Sequence, residues 1–466
     1  MQNTTLRRLT LLSLALSLAG CAVGPAYQRP ATPEPAGFKE LEGWVPAAPA
    51  DALERGPWWQ LFQDPVLDEL AAGVNVSNQN VAAAVAAYAQ ARALVAQQRA
   101  ALFPSLSLGL SGERSGVRGE GAGSSYRLNL GGSWEPDVWG RLRAGVTSAQ
   151  AGLEASAADL ANARLSSQGE LAANYFTLRA LDAQRGLLLR TIAGYERELQ
   201  ITQNRFNVGI VARTDVLQAE TQLATARGDE LALRRQRAQF EHAIAVLVGK
   251  APSEFALAPR EEWRVTVPEI PVGVPSTLLQ RRPDIAAAER EVAAANAEIG
   301  IARSAYFPNI GLSSALGTAG SRVGDLFSAS SAAWSFGLSA AQSIFNAGAT
   351  RASVAGAEAR HQVAVARYRQ TVLNAFADVE NQLSATRILA QQQELRRQAS
   401  EAADLVEQQV MNRYRAGQVG YTEVVQAQVT ALNARRALVQ AQTDRQTVAV
   451  ALIQSLGGGW HVGAQP

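Results

Sequence analysis

The side chains able to do covalent or metal chemistry are few and poorly spaced for catalysis. His242, His361 and His461 are scattered, the two methionines are Met1 and Met411, and no Cys/His or carboxylate cluster has metal-ligand spacing. There is no Walker-type lysine loop and no G-x-S-x-G, so the parts of an enzyme are missing. No cofactor or metal is implied, and a methionine-lined copper path is unsupported. Cys21 is different. It is the single cysteine, it ends Leu18-Ala19-Gly20-Cys21, and it follows Arg7, Arg8 and the apolar run Leu9–Ala19. That layout is a secretory signal whose last four residues resemble a bacterial lipobox, where the thiol is acylated. An ordinary signal peptide with an incidental cysteine is the alternative. Ala22 follows, without the aspartate associated with inner-membrane retention, which favours the outer membrane.

A second group of residues surrounds a motif written twice. Gln203–Arg227 aligns without a gap on Met411–Arg435, 208 positions later, with 10 identities in 25; Asn80–Pro104 aligns on Asp284–Pro308, 204 positions later, with 10 in 25. The shared Asn-Arg-aromatic, glycine and Thr-Asp/Glu place Arg205, Gly209 and Asp215 in one copy and Arg413, Gly417 and Glu423 in the other. Each glycine lets the chain reverse between two helices. The carboxylates read either as helix-start residues, with Thr214 and Thr422 capping, or as charges around an opening.

The elements that must hold these turns follow from periodicity. Each repeat reads as helix, two short strands, a very long helix, a tight turn and another helix. From Asp137 to about Asn204, and again over Asn346–Asn412, the composition is helical, which predicts rods of roughly 100 Å. After the first turn, Val216, Ala219, Leu223, Ala226, Leu233, Phe240, Ile244 and Leu247 form one apolar seam, and Leu217, Ala224, Leu231, Ala238 and Ala245 a second. The first seam recurs as Val424, Ala427, Ala431, Ala434, Ala441, Val448 and Leu452. Two flanks allow a neighbour on each side, although a long antiparallel bundle fits the periodicity equally well.

The strand-like runs alternate apolar and polar. Leu106, Leu108 and Leu110 share a face against serine and glycine, Tyr126, Leu128 and Leu130 oppose Arg127 and Asn129, and Ile310/Leu312 and Trp334–Leu338 supply the counterparts. Each run is about 9–10 residues, enough for a tilted strand to cross a bilayer. Phe103, Trp134, Tyr306, Phe307 and Trp334 stand near the ends, where an aromatic belt belongs. Gly112–Ser125 and Gly317–Ser331 read as hairpin loops. No run after the signal reaches the length of a membrane helix, so a membrane crossing would have to be a closed β-barrel. Four strands cannot close one, a dimer's eight would be nearly filled by side chains, and a trimer's twelve leave a passage.

The ends and the joint read more simply. Residues 1–20 form the signal, 21–50 a Pro/Ala-rich lipidated tether, 51–250 the first repeat, 251–283 a Pro-rich connector of short elements, 284–457 the second repeat and 458–466 a tail. One cysteine allows no disulfide, and Lys+Arg 43 against Asp+Glu 41 gives no basic excess to suit nucleic acid.

Pro57-Trp58-Trp59-Gln60-Leu61-Phe62-Gln63-Asp64-Pro65, Leu278-Leu279-Gln280-Arg281-Arg282-Pro283-Asp284-Ile285, Ala305-Tyr306-Phe307-Pro308 and the paired Arg-aromatic-x-x-Gly turns resemble the outer-membrane efflux lipoproteins, the OprM-like branch of the TolC superfamily. The resemblance runs from the lipobox to Gly457. It implies a mainly α fold with transmembrane β structure: a homotrimer, its twelve-stranded outer-membrane barrel continuous with a long periplasmic helical barrel. It also implies a periplasmic adaptor and an inner-membrane pump of the resistance-nodulation-division type as partners, and a passive route for small molecules gated at the periplasmic tip. Arg205, Gly209, Arg413 and Gly417 become adaptor-contact positions, and Glu423, Gln426 and Asp215 gate positions. Gln426 stands where many relatives have aspartate, so a double acidic ring is not expected. A protein-secretion channel would share the fold, and a lipid-anchored helical scaffold without a pore is the alternative outside transport.

Overall fold

In a computed structural model the described residues are 23–32, 35, 37–41, 57–116, 122–263, 265–268, 270, 282–328 and 332–458. They form α1 (Pro65–Ser77), α2 (Gln79–Ala100), β1 (Ser105–Ser115), β2 (Gly123–Trp134), α3 (Arg141–Asn207), α4 (Arg213–Leu247), α5 (Pro283–Ser304), β3 (Asn309–Gly320), β4 (Ala332–Ala341), α6 (Ala349–Arg415) and α7 (Tyr421–Ser455). The duplication is metrically regular. α3 and α6 each have 67 residues, α4 and α7 each 35, and α2 and α5 each 22.

Two compact units share these elements: one holds Ala87–Ala157 and Ala287–Gln370 with the N-terminal residues to Thr32, the other Pro33–Ala86, Ala158–Ala286 and Thr371–Pro466. The first unit carries the sheet. Its strands pair antiparallel in the order β1-β2-β3-β4. Leu108 lies opposite Leu130, Leu130 opposite Leu316, and Leu316 opposite Trp334, so one face is apolar across all four strands. On this face Leu106, Leu108, Leu110 and Leu338 are each more than 70% exposed, while Tyr126, Leu128, Ile310 and Leu312 are half-buried. β1, β2 and β3 are longer than expected, at 11, 12 and 12 residues, while β4 has the expected 10, and the loops are correspondingly shorter. Pairing runs on through Glu113, Arg114 and Ser124, whose types signal strand only weakly.

Both long helices begin later than expected. Asp137 accepts from the backbone N–H of Leu142 and Arg143 across an intervening turn, with Gly140 at φ 76° before α3 starts. Before α6 the chain turns through Ala347 and Gly348, both at positive φ. The helices also run about one turn past Asn204 and Asn412, because the apolar pattern does not mark where the turn begins.

The N-terminal segment has neither helix nor strand from Val23 to Thr32 and a 3-10 turn at Lys39–Leu41, and it is bound to the helices along its described length. In the first unit Val23 N–H donates to the Trp139 carbonyl at 3.4 Å, the Pro25 carbonyl accepts from Asn296, Tyr27 donates to Glu289, and Arg29 donates to the Tyr368 hydroxyl at 3.1 Å. In the second unit Phe38 is buried, and the Lys39 and Glu40 N–H groups donate to Glu380. Proline-rich chain has free carbonyls to offer a helix surface, and composition does not reveal that partner.

The second unit explains two of the quoted motifs. Trp58, Trp59 and Phe62 are buried, with Phe62 packed 4.8 Å from Phe176. Asp64 caps α1 by accepting from Val66 N–H, and also accepts from the Tyr175 hydroxyl at 2.7 Å. Arg282 reaches Asp284, Asp378 and the Ser455 carbonyl, tying the start of α5 to α6 and the end of α7. Pro283 opens α5, where its missing N–H costs nothing. In the connector Pro252–Glu254 forms one short 3-10 turn.

A buried ionic network fixes the chain beyond α4. Asp182 accepts from Arg237 Nε at 2.7 Å, from Arg179 Nη1 at 3.0 Å and from Arg260 N–H at 3.1 Å. Arg179 and Asp182 are only 2% and 1% exposed. Arg179 also donates to the Ala258 carbonyl and covers the Tyr175 ring, while Glu241 accepts from Arg237 and Leu257 N–H.

Candidate functional site

The two helix reversals lie in the second unit and match bond for bond. Gly209 N–H donates to the Phe206 carbonyl and Ile210 N–H to that of Arg205, both at 2.9 Å; Gly417 N–H donates to Tyr414 and Gln418 N–H to Arg413, again at 2.9 Å. This closes the last carbonyls of α3 and α6. The glycines have φ of 77° and 71°, and a Cβ at either would meet open space. Backbone conformation, not packing, therefore requires glycine there.

Side chains clasp one turn to the other. The Arg205 guanidinium lies 5.4 Å from the centre of the Tyr414 ring, Tyr414 lies 5.5 Å from Tyr421, and Arg213 lies 5.9 Å from Phe206. Buried Ala219, Tyr421 and Val424 pack with Leu199, Val410 and Tyr414. The Tyr414 hydroxyl is buried without a hydrogen-bond partner. Arg205 is half-buried in this clasp, whereas Arg413 is exposed and, among the described residues, unpaired. The clasp was missed in sequence. Its signal was the aromatic residue repeated after each Asn-Arg.

The expected threonine caps are absent. The N-cap positions are Ala212 and Gly420, neither with a side-chain cap bond, so Thr214 and Thr422 fall inside the first turn. Thr422 instead points its hydroxyl at Gln218 Oε1, 3.4 Å away, across a groove of about 320 Å³ between α4 and α7. Asp215 and Glu423 do stand in the first turns, where a carboxylate complements the helix dipole. Glu423 and Gln426 are exposed, Asp215 is half-buried, and Glu423 makes no ion pair with Arg413 among the described residues.

Farther from the turns, buried Gln428 donates to both oxygens of Glu198 at 2.8 Å. Burial pushes the Glu198 carboxyl above its usual range and nearby Glu407 adds to the rise, against the hydrogen bond from Gln428. Arg435 holds Asp404 at 2.8 Å and Glu407 at 2.7 Å beside it. Among the described residues no group of three or more His, Cys, Asp or Glu is placed to hold a metal ion.

Cys21 and the segment Leu278–Arg281 lie outside the described residues. Among those described, no helix is long and apolar enough to cross a membrane. The two-faced sheet is the element suited to lipid, and paired helical rods closed by matched turns are a conduit's wall. Together they define an outer-membrane channel rather than a catalyst. The chain belongs to the outer membrane efflux protein family, which it matches over residues 74–250 and 274–458. It is 34% identical to the probable efflux pump outer membrane protein TtgC of Pseudomonas putida, over 97% of this chain and 96% of that one. The pyoverdine export outer membrane protein OpmQ of Pseudomonas aeruginosa is 32% identical, over 98% of each chain. Among solved structures, the open state of the Neisseria gonorrhoeae MtrE outer membrane channel matches with a TM-score of 0.84 at 29% identity, covering 95% of this chain and 99% of that one. The protein is thus a TolC-like efflux channel of the outer membrane with a periplasmic helical barrel, and a transport protein rather than an enzyme.

Proposed function

We propose that three copies of this chain form the exit duct of a tripartite efflux system, with a periplasmic adaptor and an inner-membrane pump of the resistance-nodulation-division type. The observation that carries this reading is the four-stranded sheet with one predominantly apolar face and two edges, β1 and β4, without a strand partner among the described residues. Open edges in lipid leave backbone groups unsatisfied, and joining β4 of one copy to β1 of the next removes them. The second apolar seam points the same way: Leu217 and Leu231 stay 47% and 60% exposed in the single chain, ready for a neighbouring helix. The chain divides into a signal (1–20), a lipidated strap (21–50), two repeats (51–250 and 284–457), a connector (251–283) and a tail (458–466). Small molecules, drugs and toxic compounds among them, would pass without chemistry, their selection left to the pump.

Arg413, Gly417 and Gly209, exposed at the turns, are assigned to adaptor contact, and Arg205 to holding the contacting surface through Tyr414. Glu423 is assigned to the lumen near the tip, with Gln426 one turn on adding hydrogen-bonding capacity without charge and Asp215 a lesser contributor. Threefold repetition would bring three Glu423 carboxylates around one axis and favour cations. Glu423→Ala is expected to lower the cation-over-anion permeability ratio in planar-bilayer recordings by up to about fivefold, the effect of one charge about 4 Å away in water. An unchanged ratio would return Glu423 to the role of helix-start carboxylate, and a wild-type protein that conducts nothing would leave only the scaffold reading.

Cys21 is assigned as the acylated residue. Val23, two positions on, is bonded to Trp139, which stacks 4.8 Å from Phe307 beside the start of β3. Fatty-acid labelling is expected in the wild type and absent in Cys21→Ser; label persisting in the mutant removes the assignment.

A further inference from the structure

The pairing register separates the two faces of the sheet residue by residue. On the face opposite the leucines, the strand positions are serine, glycine, alanine or asparagine with two exceptions, Glu113 on β1 and Arg127 on β2. Arg127 pairs with Ser111 and with Ala319, and Glu113 with Ser125, so the two charges are diagonal neighbours about 7–8 Å apart. Both are exposed, and among the described residues no ion pair joins them. Arg114 falls on the apolar face instead. Asp325 does too: Gly320 lies on that face opposite Tyr126, and a Cβ on it would collide with the Asp325 side chain.

We propose that Arg127 and Glu113 are the charge filter of the barrel lumen, a site separate from the turns. The inference rests on the trimeric channel reading. In a ring of three chains the polar face looks inward, and small neutral side chains leave these six groups as the fixed charges of the described wall. The strands begin at the helix side with Ser105 and end at the hairpin with Ser115, so a solute leaving the periplasm passes the guanidinium level first and the carboxylate level next. Each level acts over about a Debye length, roughly 8 Å at physiological salt, comparable to their separation. The intact band is therefore close to neutral at a distance and strongly polarised within, and it discriminates solutes by the sign and spacing of their charges. Lumen substitutions in β-barrels tune selectivity in this way.

The test is bilayer recording with salt gradients on Arg127→Ser and Glu113→Ser. The first unmasks three carboxylates and is expected to raise the cation-over-anion permeability ratio about twofold or more; the second unmasks three guanidiniums and is expected to lower it similarly. Arg127→Cys gives an independent readout, since Cys21 is the only natural cysteine. Thiosulfonates added from the hairpin side should shift the ratio toward anions when they carry an ammonium group and toward cations when they carry a sulfonate. A conducting channel whose ratio is unmoved by both substitutions, or whose introduced thiol in Arg127→Cys reacts without any shift, overturns the filter and leaves the channel standing. A wild type that never conducts overturns the trimeric channel reading and the filter with it.

Discussion

Asp182→Ala is expected to destabilise the folded chain by about 3–5 kcal/mol, the cost of removing one partner from a buried ion pair. Asp182 accepts three hydrogen bonds from groups far apart in sequence, Arg179 on α3, Arg237 on α4 and the Arg260 backbone. Without it, Arg179 retains the Ala258 carbonyl but, among the described residues, no ion-paired carboxylate, inside a site that water hardly enters. Arg237 fares better, since Glu241 still faces it at 3.0 Å. The loss should therefore fall mainly on Arg179, and the double variant Asp182→Ala/Arg179→Met should recover much of it, because a hydrophobic replacement leaves no uncompensated buried charge. Denaturant unfolding in detergent, followed by helical circular dichroism, checks both. Arg397→Ala is the control: it breaks exposed pairs with Glu394 and Glu401 and should shift the curve hardly at all. A loss at Asp182 no larger than at Arg397 would mean that the buried network is not what pins residues 257–260 to the helices.

Arg179 and Asp182 stand one helical turn apart, as do Arg237 and Glu241, but nothing in the sequence marked the tertiary bonds that join the two pairs to each other and to residues 257–260. Periodicity carries information about faces, so the seam from Val216 to Leu247 and the alternation of Leu106, Leu108 and Leu110 were legible, and both appear as expected. The repeat was legible in its aligned identities, and the structure adds equal helix lengths in the two copies. Boundaries were not. Asp137 and Asn346 resemble helix starts, yet the chain turns at positive φ before either helix begins. Thr214 and Thr422 have the composition of caps, but the turns place Ala212 and Gly420 there instead. At the reversals the glycines announced themselves, since a tight turn between helices favours them. The Arg205–Tyr414 clasp did not, because it joins residues of different repeats, and no pattern within one repeat specifies it. The docked strap escaped for a related reason: its partners lie far along the chain, Asn296 271 residues from Pro25 and Glu380 341 residues from Lys39.

Leu108→Arg is expected to cost about 2–4 kcal/mol per chain if the site lies near the bilayer midplane. Leu108 is 72% exposed on the apolar face, between its partner Leu130 and open surroundings. β1 is an edge of the sheet, so the residue lies beside the seam where one copy must join the next. Three equal costs fall on one assembled barrel, roughly 6–12 kcal/mol in all, which is comparable to the entire stability of many folded domains. Native mass measurement in detergent should give a trimer for the wild type and a much reduced trimer fraction for the variant. Ser107→Arg separates membrane placement from general disruption of the strand. It stands one residue away on the same strand, paired with Gly131, but faces the polar side, where a charge meets water rather than lipid. Trimer retained in Ser107→Arg and lost in Leu108→Arg fits a barrel with lipid outside and water within. Equal loss in both would place the defect in strand pairing, and a wild type that remains monomeric would mean that the open edges of β1 and β4 are satisfied by something other than another copy of the chain.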